Sequence, residues 1–262
     1  MDNSALGGRS WTEIWLPAAL LGVAGLAWWW SVVSAADMHG TMSMDMPSSM
    51  AMDTMAMGTP PSMSFVAFLI AWVAMMAAMM LPAVVPVVGT YARAVAGKTI
   101  PVIVFVTGYL VVWSAVGIPA YLAWSSLEQP LAEASVWAAR LAGAVAIAAG
   151  LHQLTPLKRI SLQHCRTPAS FLPHGKRHDQ PVPAFVAGSR HGIFCLGSCW
   201  MLMVLLIAFG TMQMAWMLAL AVLIWLEKVT PFGDRIIRWT AAPLIVLGVA
   251  LLVHPTLMSH LV

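Results

Sequence analysis

Seven long apolar runs punctuate the chain, at roughly Ile14–Ala36, Ser64–Val88, Ile100–Trp124, Ala134–Leu154, Ile193–Phe209, Met212–Leu226 and Trp239–Val253. A helix that crosses a bilayer needs about 20 mostly apolar residues, so each run is a candidate span. The fifth and sixth cover together about 34 residues, too long for one span and slightly short for two. Gly210, Thr211 and Gln213 supply a turn between them, which predicts a helical hairpin. The pattern predicts an all-α, polytopic helical bundle of about seven transmembrane helices.

Composition agrees with that pattern. Of 262 residues, 60% are hydrophobic and only 9% charged, where a soluble domain carries about 25% charged residues. Charge placement then orients the bundle. With the N-terminus inside, 12 of the 13 Lys and Arg residues fall on cytoplasmic segments: Arg9, Arg93, Lys98, Lys158, Arg159, Arg166, Lys176, Arg177, Arg190, Lys228, Arg235 and Arg238. Arg140 is the exception, inside the fourth span. An excess of cytoplasmic Lys and Arg is what translocation selects, so the N-terminus is expected inside and the C-terminus outside. The net charge of +3 thus reports topology and gives no reason to expect a nucleic-acid partner. Arg9 ahead of an apolar run ending in Ser34-Ala35-Ala36 also fits a signal peptide. The run is longer than the 7–15 residues of a secretory apolar region, which favours a retained first helix.

Three units follow: residues 1–36 with the first helix, an external segment 37–63, and a six-helix domain 64–262 with a basic cytoplasmic loop at 155–192. The external segment has no Lys or Arg but holds nine methionines, one histidine and three aspartates. A polar loop has no packing use for such methionine density, and thioether sulfur is a soft ligand suited to Cu(I). Met38, His39, Met42, Met44 and Met46 head this set, and Asp37, Asp45 and Asp53 would attract cations. A linker of methionines that scavenge oxidants is the alternative. The loop at 155–192 is expected to lie along the lipid surface, its basic side chains meeting anionic headgroups.

Two further groups lie in the spans. In Trp72–Pro82, Met75 and Met79 share one helix face and Met76 and Met80 the next. Pro82 and Pro86 release backbone carbonyls and predict a kink. Methionine also serves as a flexible packing residue, so this group reads equally as core. In His191–Met203, four ligand-type side chains recur every four residues: His191, Cys195, Cys199 and Met203. Such a set suits Cu(I), or Zn if only thiolates and imidazole are used. One helix face cannot enclose an ion, so another span must contribute, and Gly192 and Gly197 would let it approach. Glu227, closing the sixth span, either completes this site or pairs with nearby basic residues. The three cysteines, Cys165, Cys195 and Cys199, cannot close a disulfide framework and fall on or near the reducing side, where thiols persist. Cys165 and His164 sit in the basic loop with His174 and His178 as a second, unconstrained group.

Three blocks carry a resemblance: WVAMMAAMMLPAVVP at Trp72–Pro86, HQLTPLKRISLQHCRTP at His152–Pro168, and His191–Gly233 from HGIFCLGSCWM to EKVTPFG. In this order they resemble a functionally uncharacterised bacterial family of predicted metal-binding integral membrane proteins. The chain departs from the family pattern at His152, where Tyr is usual, and at Ser198, where a double cysteine is usual. The resemblance implies metal binding without naming the metal.

The expected function is copper handling in a bacterial inner membrane. Met-rich capture outside would be followed by a methionine relay and an inner His–Cys–Met site, with Cu(I) passed across or inserted into a partner protein. Silver or zinc would satisfy parts of the same ligand set. A subunit of a copper-dependent oxidoreductase and a structural accessory subunit are the alternatives. No compact group of histidines within one span favours the enzyme. Neither the oligomeric state nor the direction of transfer follows from the residues.

Overall fold

A computed structural model describes residues 11–42, 64–95, 98–132, 136–167, 180–209 and 214–257. Among these residues there are eight α-helices and no strand. They are α1 (Trp11–Met42), α2 (Phe65–Ala94), α3 (Thr99–Ala132), α4 (Val136–Leu154), α5 (Pro156–Arg166), α6 (Pro181–Ala208), α7 (Met214–Val229) and α8 (Gly233–Val253), followed by a short 3-10 turn at Pro255–Leu257. Seven of the helices overlie the seven apolar runs. Four stretches are long and apolar enough to cross a membrane: Phe65–Ala94, Thr99–Ser126, Pro181–Ala208 and Gly233–Val253. The outer surface is apolar too, with Leu26, Trp29, Val182, Trp239 and Val246 all exposed. An apolar exterior over a packed interior is what a lipid solvent favours.

Several boundaries differ from expectation. The backbone of Asp37–Met42, expected as loop, continues α1. Adding a residue to an existing helix costs far less than starting one, and no proline lies between Asp37 and Pro47. The largest difference is α6, which starts at Pro181 and not at Ile193. Pro181 and Pro183 lie in its first turn, where a missing backbone donor costs nothing. His191 therefore sits well inside a helix and not in the loop expected at 155–192. The segment 155–192 likewise holds a whole helix, α5, capped by Thr155, whose side chain accepts from Lys158 N. Pro82 and Pro86 lie inside an α2 that runs unbroken past both. Trp28 of α1 donates its indole N–H to Ala78 O at 3.2 Å, the carbonyl four residues before Pro82 that proline cannot bond.

Two helix pairs make the closest contacts, α3 with α6 and α4 with α8; α1 also packs along α2. Glycine allows both close pairs. A Cβ on Gly188 would run into the backbone of Phe105, and one on Gly108 into the carbonyl of Phe185. In the other pair Gly143 faces Gly248, and a Cβ at Gly143 would lie 2.8 Å from Gly248 O. Small residues that let backbones approach are the usual means of helix association in lipid. Gly192 and Gly197, expected as packing residues, meet Val112 of α3 and Ser161 of α5 respectively. The main core joins α1, α2, α3, α6 and α7, with Cys165 of α5. It holds Met75, Met76, Met79, Met80, Phe105, Tyr109, Trp113, Cys165, Cys195, Cys199 and Met203 in one contiguous cluster.

Candidate metal centre

The α3–α6 contact sets the geometry of the site. With Gly108 and Gly188 pulling the helices together, Ser189 Oγ donates to Gly108 O at 3.3 Å. Tyr109, next on α3, is thereby aimed at the face of α6 that carries His191, Cys195 and Cys199. All three of these are buried. The Tyr109 hydroxyl lies 3.1 Å from Cys195 Sγ, and the Tyr109 and His191 rings are 5.7 Å apart. The Cys199 thiol donates to Cys195 O at 3.0 Å.

Two more helices bring groups to Cys195. Lys228, at the end of α7, donates Nζ–H to Cys195 Sγ at 2.7 Å. Cys165, on the inner face of α5, is buried in the same cluster as Cys195. The neighbouring Cys195, with burial behind it, pushes the Cys165 thiol well above the usual range for cysteine. Cys195 is thus the shared centre of a cluster fed by α3, α5, α6 and α7. A cavity of about 380 Å³ opens onto it, lined by Cys165, Arg166, His191 and Lys228 and by Ala83, Pro86, Val87 and Thr90 of α2.

A second polar cluster lies beside the first. Glu227 accepts from Lys158 Nζ at 2.7 Å and from Gln153 Nε2 at 3.1 Å, one on each carboxylate oxygen. Lys158 is fully buried and Glu227 nearly so. Burial pulls the Lys158 ammonium below the ordinary lysine range, against the opposing pull of Glu227. Arg166 donates to the Glu227 carbonyl and reaches Asp234 at 3.8 Å. Of the two roles expected for Glu227, the structure displays the pairing with a basic residue. His152 accepts from Trp200 Nε1 at 3.0 Å, as suits a hydrogen-bonded residue near a helix end.

The remaining predicted ligands are placed as follows. Met75, Met76, Met79 and Met80 are all buried on α2. Met203 lines a separate apolar cavity with Trp72, Leu196 and Trp200. Helix rise alone separates Met203 from Cys195 by about 12 Å and from His191 by about 18 Å, so the four-residue stripe is not one coordination sphere. Met38, His39 and Met42 fall on the last turns of α1, where their side chains lie outside the described residues, and Met44 and Met46 lie outside them altogether. Among the described residues, no three His, Cys, Asp or Glu side chains are grouped to hold one ion.

Three participants were not anticipated. Tyr109 gave no signal, being one polar atom in an apolar span. Lys228 looked like a topological charge, and Lys158 like one of many basic loop residues. Cys165 was visible but had no assigned neighbour.

Fold and site together define an all-helical protein of membrane character with a buried, thiol-centred cluster suited to a soft monovalent metal. Residues 69–251 match the family PpoB2, described as a copper chaperone, and the chain belongs to that family. No curated protein and no solved structure matches the chain.

Proposed function

We propose that the protein carries Cu(I) as cargo through a bacterial inner membrane and delivers it to a partner protein. In this reading seven helices span the bilayer, with the N-terminus inside and the C-terminus outside. Methionines of the external segment, from Met38 and His39 through Met42, Met44 and Met46, collect the ion. The buried methionines of α2 relay it, and the ligands of α6 receive it: His191, Cys195, Cys199 and, farther along the helix, Met203. Thioethers bind Cu(I) softly and without a proton to release, which suits transit; thiols bind more firmly, which suits the end of the path.

The observation that carries this reading is the continuity of one face of α2. Ala83, Pro86, Val87 and Thr90 line the cavity at the thiol cluster. Met79 and Met76 lie four and seven residues before Ala83, on the same face of that helix. The soft sulfurs therefore lead to the cavity wall. The family's description as a copper chaperone supports the cargo.

The test is the copper content of detergent-purified full-length protein after growth with added copper. Wild type is compared with Cys195→Ser/Cys199→Ser and with Leu at positions 75, 76, 79 and 80. The expectation is bound copper in wild type, loss in the thiol variant, and slower loading with normal final content in the leucine variant. Equal copper in all three proteins would sink the reading.

A further inference from the structure

The thiol cluster brings two cysteines from different helices to one lysine, and that arrangement is more informative than the α6 stripe. Cys165 and Cys195 are 30 positions apart in sequence, yet both lie in one buried cluster at the Lys228 side chain. Cys165 also lines the cavity, as does Lys228, which holds Cys195 from the other side. Neither Cys195 nor Cys199 lines the cavity itself, but Cys195 is reached from its wall through Lys228, whereas Cys199 has no such partner among the described residues of the wall. Its thiol is turned onto the carbonyl of its own helix.

We infer that Cu(I) is held by Cys165 and Cys195 as a two-sulfur pair bridging α5 and α6, entered from the cavity, with the Lys228 ammonium as its countercharge. This rests on the copper-handling reading and deepens it by naming the pair and the charge. Two Cu–S bonds form, and whatever protons the two sulfurs carry leave through the cavity. Copper stays Cu(I) throughout, so no electron donor or acceptor is required. A Cu(I) bound by two thiolates has a net charge of −1. An unpaired buried charge is expensive in a low-dielectric interior, and Lys228, 2.7 Å from Cys195, makes the unit neutral. Two sulfurs suffice for Cu(I), so the lack of a group of three ligands among the described residues is consistent with this geometry. An ion that prefers four ligands, such as zinc, is disfavoured by it.

The test uses full-length protein in detergent, loaded with Cu(I) under ascorbate and titrated with a Cu(I) chelator. Cys165→Ser and Cys195→Ser are each expected to weaken retention on the order of a hundredfold or more, because each removes one of two soft ligands. Cys199→Ser is expected to weaken it less than either, because the Cys199 thiol is turned onto the carbonyl of its own helix. Lys228→Met should weaken it about tenfold, as loss of a supporting partner does, and Lys228→Arg should restore most of that. A second measurement needs no variant: Cu(I) should protect Cys165 and Cys195 of wild type from alkylation, read residue by residue by mass spectrometry. Strong loss in Cys199→Ser with retention in Cys165→Ser would overturn the pair and leave copper handling standing. Unprotected Cys165 in copper-loaded wild type would do the same. Wild type that binds no Cu(I) would overturn both.

Discussion

Glu227 and Lys228 are consecutive residues on α7, about 100° apart around the helix axis, and they enter two different neighbourhoods. Glu227 meets Lys158 and Gln153, and both carboxylate oxygens are taken. Lys228 meets a sulfur that also engages Tyr109, beside a cavity of about 380 Å³ whose wall holds Cys165. One region is closed and saturated; the other is built from soft groups with space next to them. The comparison teaches how burial can hold a helix in place at one residue and keep a site available at the next. The two regions share α5, whose Lys158 anchors in the first and whose Cys165 reaches the second. The ion pair is therefore one of the ties that fix α5, and with it the third thiol, against α7.

The comparison breaks most directly at Lys158. Lys158→Met leaves a buried carboxylate unpaired, which should cost about 3–5 kcal/mol. Thermal unfolding in detergent would show it as a large loss of Tm. Lys158→Met/Glu227→Met should regain much of that loss, since an apolar pair of similar volume often replaces a buried ion pair without cost. An unchanged Tm in the single variant would mean that the first region is not structural.

The next effect lies in the helix pair that aims Tyr109. Gly188→Val places atoms against the Phe105 backbone, and overpacking of this kind costs about 1–3 kcal/mol. It should also spread α3 from α6 and reduce copper retention, whereas Gly143→Ala, at the α4–α8 contact, should lower Tm with copper retention preserved. Equal copper loss in both would deny the α3–α6 contact its special role.

A smaller effect sharpens the picture. Tyr109→Phe removes one hydrogen bond to Cys195, worth about 0.5–1.5 kcal/mol. Alkylation of Cys195 in metal-free protein should become faster. The smallest belongs to α1: Trp28→Phe leaves Ala78 O without its indole donor, a loss of about 1 kcal/mol with copper binding untouched. A change in copper binding there would connect α1 to the site, against the present geometry.

Much of this architecture was legible along the chain. Apolar runs marked seven of the eight helices because the apolar content of a long helix is a local property. The start of α6 was missed because Pro181, Pro183, Gly188 and Arg190 read as loop residues. In the folded protein the prolines occupy a first turn, and Gly188 is the point of closest approach to α3. Helix α5 was missed as a helix because it is polar overall, although Thr155 and Pro156 form a cap and first turn that local chemistry favours. Within the site, Cys195, Cys199 and His191 were visible as a four-residue stripe. Their true neighbours were not, since Tyr109, Cys165 and Lys228 come from three other helices.

The sequence by itself determined which long apolar segments are helical and where the soft ligands lie on each helix. These follow from a 3.6-residue period and from side-chain chemistry, both readable over a few turns. Tertiary structure alone decided that Cys165 meets Cys195, that Lys228 faces a thiol while Glu227 faces Lys158, and that Met203 stands apart from His191. Such pairings depend on how each helix is rotated and shifted against its neighbours. That is set by the summed fit of whole faces, such as Gly108 and Gly188 closing α3 onto α6, and no short stretch of chain contains it.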